Sequence, residues 1–161
     1  MEDFKGETFG EAHRDTLVIF AIATHYEGDP CDNYKKAYKW LRDARKDKGS
    51  SQLFKGVQYL VFGLGDSSYE MYNVMGKFFN EAMEEMGATR VYGYGEGNAE
   101  GNKTEDDFNA WKLALWEELS SYYESNPIKH GGEPVRLEEA KKEGPAPAVS
   151  GKQLPLVLEV N

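Results

Sequence analysis

At 161 residues, with 40% hydrophobic and 29% charged side chains, the chain can bury one sizeable core and has the composition of a soluble globular protein. Its formal charge of −9 argues against non-specific nucleic-acid binding, which needs Lys and Arg to neutralise phosphates, and leaves plain solubility or a basic partner steered to it. Cys31 is the only cysteine, which excludes an internal disulfide and a CxxC metal site; no apolar run nears the ~20 residues of a membrane span, and Met1–Lys5 lacks signal-peptide features, so the chain reads as soluble and cytoplasmic.

Residues 1–15 are polar, carry two glycines and show no convincing period. Leu17-Val-Ile-Phe-Ala-Ile-Ala-Thr24 is an apolar run of buried-strand length, and it breaks into His25-Tyr-Glu-Gly-Asp-Pro30. Gly28 and Pro30 there suit a tight turn. Tyr34, Ala37, Tyr38 and Leu41 follow at helical spacing, with Asp32 or Asn33 placed to cap the N-terminus. After a charged loop at Lys46–Ser51, the pattern repeats: a strand over 57–63 runs into Gly65 and the loop Asp66-Ser-Ser-Tyr-Glu-Met-Tyr-Asn73.

Phe78, Phe79, Ala82, Met83 and Met86 form the stripe of the next helix, which Gly87 should stop. Arg90-Val-Tyr-Gly-Tyr94 reads as a third, shorter strand weakened by its glycine. Thr104-Glu-Asp-Asp107 resembles a capping box and opens a helix whose buried face carries Phe108, Trp111, Leu115 and Leu119. The composition then shifts to Pro, Gly, Lys and Glu, which predicts a linker over 124–153, and the apolar coda Leu154–Val160 predicts a short strand. The compact unit is therefore 16–123.

Apolar strands alternating with helices imply an α/β fold with a parallel sheet, and ligands of such sheets sit beyond the carboxyl ends of the strands. Both strand-end loops occupy that position. Tyr69 is the best stacking ring for a flat cofactor, with His25 and Tyr26 beside it; Tyr69 and Tyr72 serve equally well as cover for the end of the core. Gly93–Gly101 lacks the G-x-G-x-x-G spacing of a dinucleotide loop, Ser67 and Ser68 lack a nucleophile elbow, and no spaced His/Asp/Glu cluster supports a metal site, so no catalytic or metal residue is assigned. Among the many acidic residues, Glu96 and Glu100 lie nearest the mouth and are the candidate contacts for a basic partner.

These residues carry a resemblance. Ala23-Thr24 with Glu27-Gly28-Asp29-Pro30 and Asp32-Asn33, Val61-Phe62-Gly63-Leu64-Gly65 with Tyr69-Glu70 and Asn73, Met75-Gly76-Lys77, and Gly101-Asn102 with Glu105-Asp106-Asp107-Phe108 and Trp111 occur in the order found in the flavodoxin-like FMN domain of diflavin reductases. The chain resembles those of the NADPH–cytochrome P-450 reductase type over roughly residues 16–120. The resemblance implies a flavodoxin-like three-layer sandwich with strands three to five of the usual five.

It also implies that FMN lies between two loops, Ala23, Thr24, His25 and Tyr26 in the first and Leu64, Gly65, Asp66, Ser67, Ser68, Tyr69, Glu70, Met71, Tyr72 and Asn73 in the second. His25 stands where the inner stacking tyrosine is expected, Tyr26 replaces a glycine, and Ala99 occupies a flavin-proximal position. No Ser/Thr-rich phosphate loop precedes Leu17 in these residues, so FMN should bind weakly. The implied role is that of an oxidoreductase component that passes electrons from a separate FAD/NADPH module to a basic haem protein. Association with the endoplasmic reticulum surface would follow from the resemblance alone. The alternative is a non-enzymatic interaction module that has lost FMN, in which a second chain or Leu154–Val160 covers the open edge of the first strand.

Overall fold

A computed structural model describes residues 4–127. Its elements in chain order are α1 (Gly6–Ala12), β1 (Leu17–His25), β2 (Asp29–Pro30), α2 (Lys35–Ala44), β3 (Gln58–Gly65), α3 (Val74–Glu85), β4 (Thr89–Arg90), β5 (Gly95–Asn98) and α4 (Thr104–Ser125). β1 and β3 pair in parallel from Leu17↔Gln58 to Ala23↔Leu64, and this seven-rung ladder is the spine of the molecule. β4 and β5 both pair with β3 in parallel on its other side, while β2 returns antiparallel along the end of β1.

β3 is central, and its composition reflects that: Tyr59, Leu60 and Val61 are fully buried and Phe62 nearly so. Alternation sends these side chains to opposite faces. On one face Val18, Ile22, Tyr59 and Val61 meet Leu41 of α2 and Met75, Phe79 and Met83 of α3. On the other, Leu60 meets Leu115 and Leu119 of α4, with Val91 alongside. The result is the three-layer α/β sandwich expected of the sequence, each large buried side chain contributing about 1.5–3 kcal/mol.

α1 is a correction. Its glycines look like helix breakers, but both are buried because they are contact points. A Cβ on Gly10 would lie 2.3 Å from the Leu53 carbonyl oxygen, and one on Gly6 would collide with the Trp40 ring. Phe4 and Phe9 then join Trp40, Phe20 and Phe54 in one aromatic cluster. Packing outweighs propensity in this helix.

The caps differ too. Neither Asp32 nor Asn33 caps α2, which starts after Tyr34 without a side-chain cap. The Asp107 carboxylate does not close a box with Thr104; it accepts the Asn98 N–H at 2.9 Å and so ties α4 to β5. α3 does end as its sequence implies: the chain turns out at Gly87, whose N–H returns to the Glu84 carbonyl at 2.9 Å. α4 runs to Ser125, into the stretch read as linker; the remainder of that linker and the Leu154–Val160 strand lie outside the described residues.

The third strand is split. β3 advances from Tyr59 to Phe62 while its partner advances from Arg90 to Gly95, so two extra residues bulge out between β4 and β5. The bulge is what frees Tyr92 to pack on Trp111 and Tyr94 to reach back under β3. Its consequence falls at the next site.

Candidate functional site

β1, β3 and β5 end together, and their loops enclose a cleft of about 400 Å³ lined by Thr24, His25, Tyr26, Leu64, Gly65, Asp66, Tyr69, Met71, Tyr72, Asn73, Ala99 and Thr104. The first loop is a tight return. Tyr26 and Gly28 both adopt positive φ (44° and 93°), and the Gly28 N–H closes the turn on the His25 carbonyl at 3.2 Å. Glycine suits position 28 on both counts, since a side chain there would be strained and would also press on Met71 and Val74. The turn leaves Tyr26 73% exposed at the cleft mouth, with the His25 ring edge-on to it at 4.9 Å. Thr24 Oγ1 accepts the Met75 N–H at 3.2 Å, which moors this loop to the first turn of α3. Ala23 sits behind the cleft, its carbonyl accepting from the Tyr34 hydroxyl and from Cys31 Sγ.

In the second loop Asp66 folds the chain on itself. Its carboxylate accepts the Ser68 N–H at 2.9 Å and the Ser68 hydroxyl at 2.6 Å, and these two donors hold its carboxyl below the usual range. Ser67 turns away from the cleft and locks the second loop to the third: its N–H donates to Asn98 Oδ1 at 2.9 Å, and Asn98 Nδ2 donates to Ser67 Oγ at 2.8 Å. The Ser67 hydroxyl also donates to the Glu100 carboxylate. Of the sequence-derived set, therefore, Ala23, Ser67, Ser68 and Glu70 do not line the cleft; the first three support its walls, and Glu70 is exposed. Tyr69 is 58% exposed and shares the lining of the cleft with Tyr26.

Thr104 completes the lining from the start of α4 and was not legible as a site residue. Tyr94 was missed as well. Its hydroxyl lies in a notch between Gly63 and Gly76, where a Cβ on either glycine would come within 2.4 and 2.7 Å of it. From there it donates to the Asn73 carbonyl at 3.5 Å. Asn73 is fully buried with φ of 53°, and its Nδ2 donates to the Gly97 carbonyl at 3.4 Å. Behind this post Glu96 makes an ion-pair contact with Lys77 Nζ at 3.0 Å without the geometry of a hydrogen bond. Glu96, a candidate partner contact by sequence, is thus half-buried and internally paired, whereas Glu100 stays exposed.

Burial pushes the Tyr94 phenol above its ordinary value, and the Glu96 carboxylate beside it pushes the same way. Tyr34 and Tyr59 are raised by burial too. A group whose pKa is higher folded than unfolded stabilises fully below its unfolded value, here about 10, and that contribution is lost as pH rises past it. Alkaline titration read at the tyrosinate absorbance should accordingly show these phenols ionising only as near-UV circular dichroism collapses. Ionisation of all ten tyrosines with the fold intact would contradict the burial described.

What the cleft fits can be read from its walls. Two exposed tyrosine rings at the mouth and backbone groups of Gly65 and Asp66 along one side match a flat heteroaromatic ring with a polar edge. No Lys or Arg lines it, so it offers a phosphate no counter-charge. A second groove of about 520 Å³ lies away from the strand ends between Arg90–Gly93, Glu84 and Glu118. There Arg90 is already paired with Glu84 and the Tyr59 hydroxyl, and no pair of exposed rings frames the groove. Among the described residues, no helix is long and apolar enough to cross a membrane.

The flavodoxin family model matches residues 1–111. NADPH–cytochrome P450 reductase of Dictyostelium discoideum is 43% identical over 106 residues, 66% of this chain and 15% of that protein. The Sus scrofa enzyme of the same name is 39% identical over 107 residues, 66% of this chain and 15% of its own, and the Candida maltosa one 36% over 130 residues, 80% of this chain and 18% of its own. The chain therefore spans less than a fifth of these relatives. Among solved structures, oxidised Flavodoxin 2 from Bacillus cereus aligns over 70% of both chains at 21% identity with a TM-score of 0.49.

Proposed function

The chain belongs to the flavodoxin family, and we propose that it uses the cleft at the ends of β1 and β3 to hold FMN as a one-electron carrier. Its likeness to the FMN-domain portion of NADPH–cytochrome P450 reductases supports a role in which electrons arrive from an FAD/NADPH module and leave to a haem protein. The observation that carries the reading is that Tyr26 and Tyr69, two large rings left exposed, line the same cleft at the place where a parallel sheet holds ligands. FMN, when bound, supplies the redox chemistry.

The chain's own residues supply the setting. Tyr69 and the His25–Tyr26 pair stack on the two faces of the ring and limit water. Backbone groups of Gly65 and Asp66 meet its polar edge. The Asn73–Gly97 and Ser67–Asn98 bonds keep the second and third loops from parting when the ring enters. The exposed carboxylates of Glu100, Glu105 and Asp106 near the mouth give a basic partner an electrostatic target.

Because the lining holds ring-recognising groups and no cation, the ring should dominate affinity. Titrating the purified chain with FMN and with riboflavin should quench flavin fluorescence in both cases, with dissociation constants within about threefold of each other. Quenching by neither would overturn the FMN reading and leave the non-enzymatic module in its place. Binding of FMN more than tenfold tighter than riboflavin would reveal a phosphate contact beyond the cleft lining.

A further inference from the structure

The charge of the cleft rests on few groups. Among the residues that line it, His25 alone can carry a positive charge, and Asp66 alone is a carboxylic acid. Asp66 is already engaged: its carboxylate takes two donors from Ser68, which hold its carboxyl below the usual range and keep it ionised through mild acid. The other titratable groups of the lining are the phenols of Tyr26, Tyr69 and Tyr72. A phenol ordinarily ionises near pH 10, and burial raises that of Tyr72. An imidazole is the side chain whose ordinary charge change falls between pH 5 and 8. Across that range the lining therefore changes charge at one residue, His25.

The backbone sets this imidazole between two opposed influences. His25 is the last residue of β1 and stands directly opposite Asp29 of β2 in the antiparallel pair. Residues so paired project to the same side of the sheet, with Cβ atoms about 5 Å apart. Asp29 thus favours the imidazolium, and the exposed Glu27 in the intervening turn acts in the same direction. The exposed Glu70 of the second loop and Glu100 of the third add to that field. Among the described residues none of these carboxylates forms an ion pair with His25. On the cleft side the imidazole sits beside the Tyr26 ring at 4.9 Å. A flat ring seated there covers the imidazole and strips water from it, which penalises the charged form.

We propose that His25 makes ring binding in this cleft pH-dependent: the neutral imidazole admits a flat uncharged ring, and the imidazolium opposes it. The inference rests on the reading that the cleft holds a flavin ring. The sign follows from linkage. A ring that makes the imidazole easier to deprotonate binds fully where the empty site is already neutral, and its affinity falls as the empty site gains its proton. The fall levels off once the occupied site is protonated as well, and one unit between the two titrations gives a tenfold loss.

Riboflavin is the probe, because it carries the ring without a phosphate that would titrate in the same range. Its binding to the full 161-residue chain, read by fluorescence quenching, should weaken about three- to tenfold from pH 8 to pH 5.5. His25→Phe keeps a flat ring without the proton, so its affinity should not change over that range. Asp29→Asn withdraws the carboxylate that favours the imidazolium, so the profile should keep its shape and move to lower pH. Near-UV circular dichroism at both pH values reports an intact fold for each chain. Proton NMR gives a second readout: the imidazole resonance that His25→Phe removes should titrate at lower pH once riboflavin is added. Should His25→Phe fail to fold, the direction of the Asp29→Asn shift decides. Tighter binding in acid, a flat profile in the parent, or a profile that survives His25→Phe would each overturn the inference and leave ring binding in place. Quenching at no pH would overturn the ring reading, and this inference with it.

Discussion

Gly76→Ala should destabilise the protein by about 2 kcal/mol, although alanine is the better helix former. Propensity alone favours alanine over glycine by about 1 kcal/mol in the interior of a helix. Position 76 is in the first turn of α3, where the helix lies directly on β3, and a Cβ there would fall 2.8 Å from the Gly63 Cα and 2.7 Å from the Tyr94 hydroxyl. Tyr94 could swing aside; Gly63 is backbone of the central strand and cannot. Helix and strand must therefore separate, which strains the Met75–Thr24 bond and the Asn73 post together. Chemical denaturation should show a lower midpoint with an unchanged slope. Gly93→Ala is the matched control, since a Cβ there meets nothing within 4 Å and stability should be unaffected. If Gly76→Ala gained stability, the contact between α3 and β3 would be looser than described.

That contact also marks the limit of what the sequence could reveal. β1 and β3 were legible because continuous apolar runs such as Tyr59–Phe62 have few other fates. α3 and the inner face of α4 were legible from their period. The glycines mislead in both directions. Gly6 and Gly10 lie in a polar stretch with no convincing period but serve as packing contacts in α1, and Gly93 reads as a weak strand position but belongs to a bulge. Each depends on which surface lies opposite, and that is tertiary information.

The site divides along the same line. Its loops and rings are contiguous in sequence at the ends of two clear strands, so Tyr26 and Tyr69 could be singled out. Its supports are not. Tyr94 under β3, Asn98 against Ser67 and Asp107 against Asn98 join segments brought together by the split third strand. No spacing rule encodes a hydrogen bond between residues 67 and 98. The capping box shows the cost of reading locally: Asp107 stands at the right offset from Thr104, but the Asn98 N–H is the nearer need.

Tyr69→Ala should weaken flavin binding about 10- to 100-fold while leaving stability within about 0.5 kcal/mol of the parent. The magnitude follows from stacking of a heteroaromatic ring on an aromatic side chain, about 1–3 kcal/mol, at 1.4 kcal/mol per tenfold in affinity. The stability half follows from exposure: Tyr69 is 58% exposed, its hydroxyl makes no hydrogen bond among the described residues, and its backbone N–H remains on the Asp66 carbonyl at 3.1 Å after truncation. Tyr72→Ala separates the two readings of this loop. Tyr72 is partly buried beneath the Lys77 ammonium, 5.4 Å from its ring centre, so its removal should lower the thermal midpoint as well as affinity. Tyr69→Phe should retain nearly all binding, because stacking needs the ring and not the hydroxyl. Flavin fluorescence titration beside thermal denaturation reads both quantities. Were Tyr69→Ala to lower the thermal midpoint and leave flavin affinity untouched, Tyr69 would be cover for the core, and the ring would have to rest on His25 and Tyr26 alone.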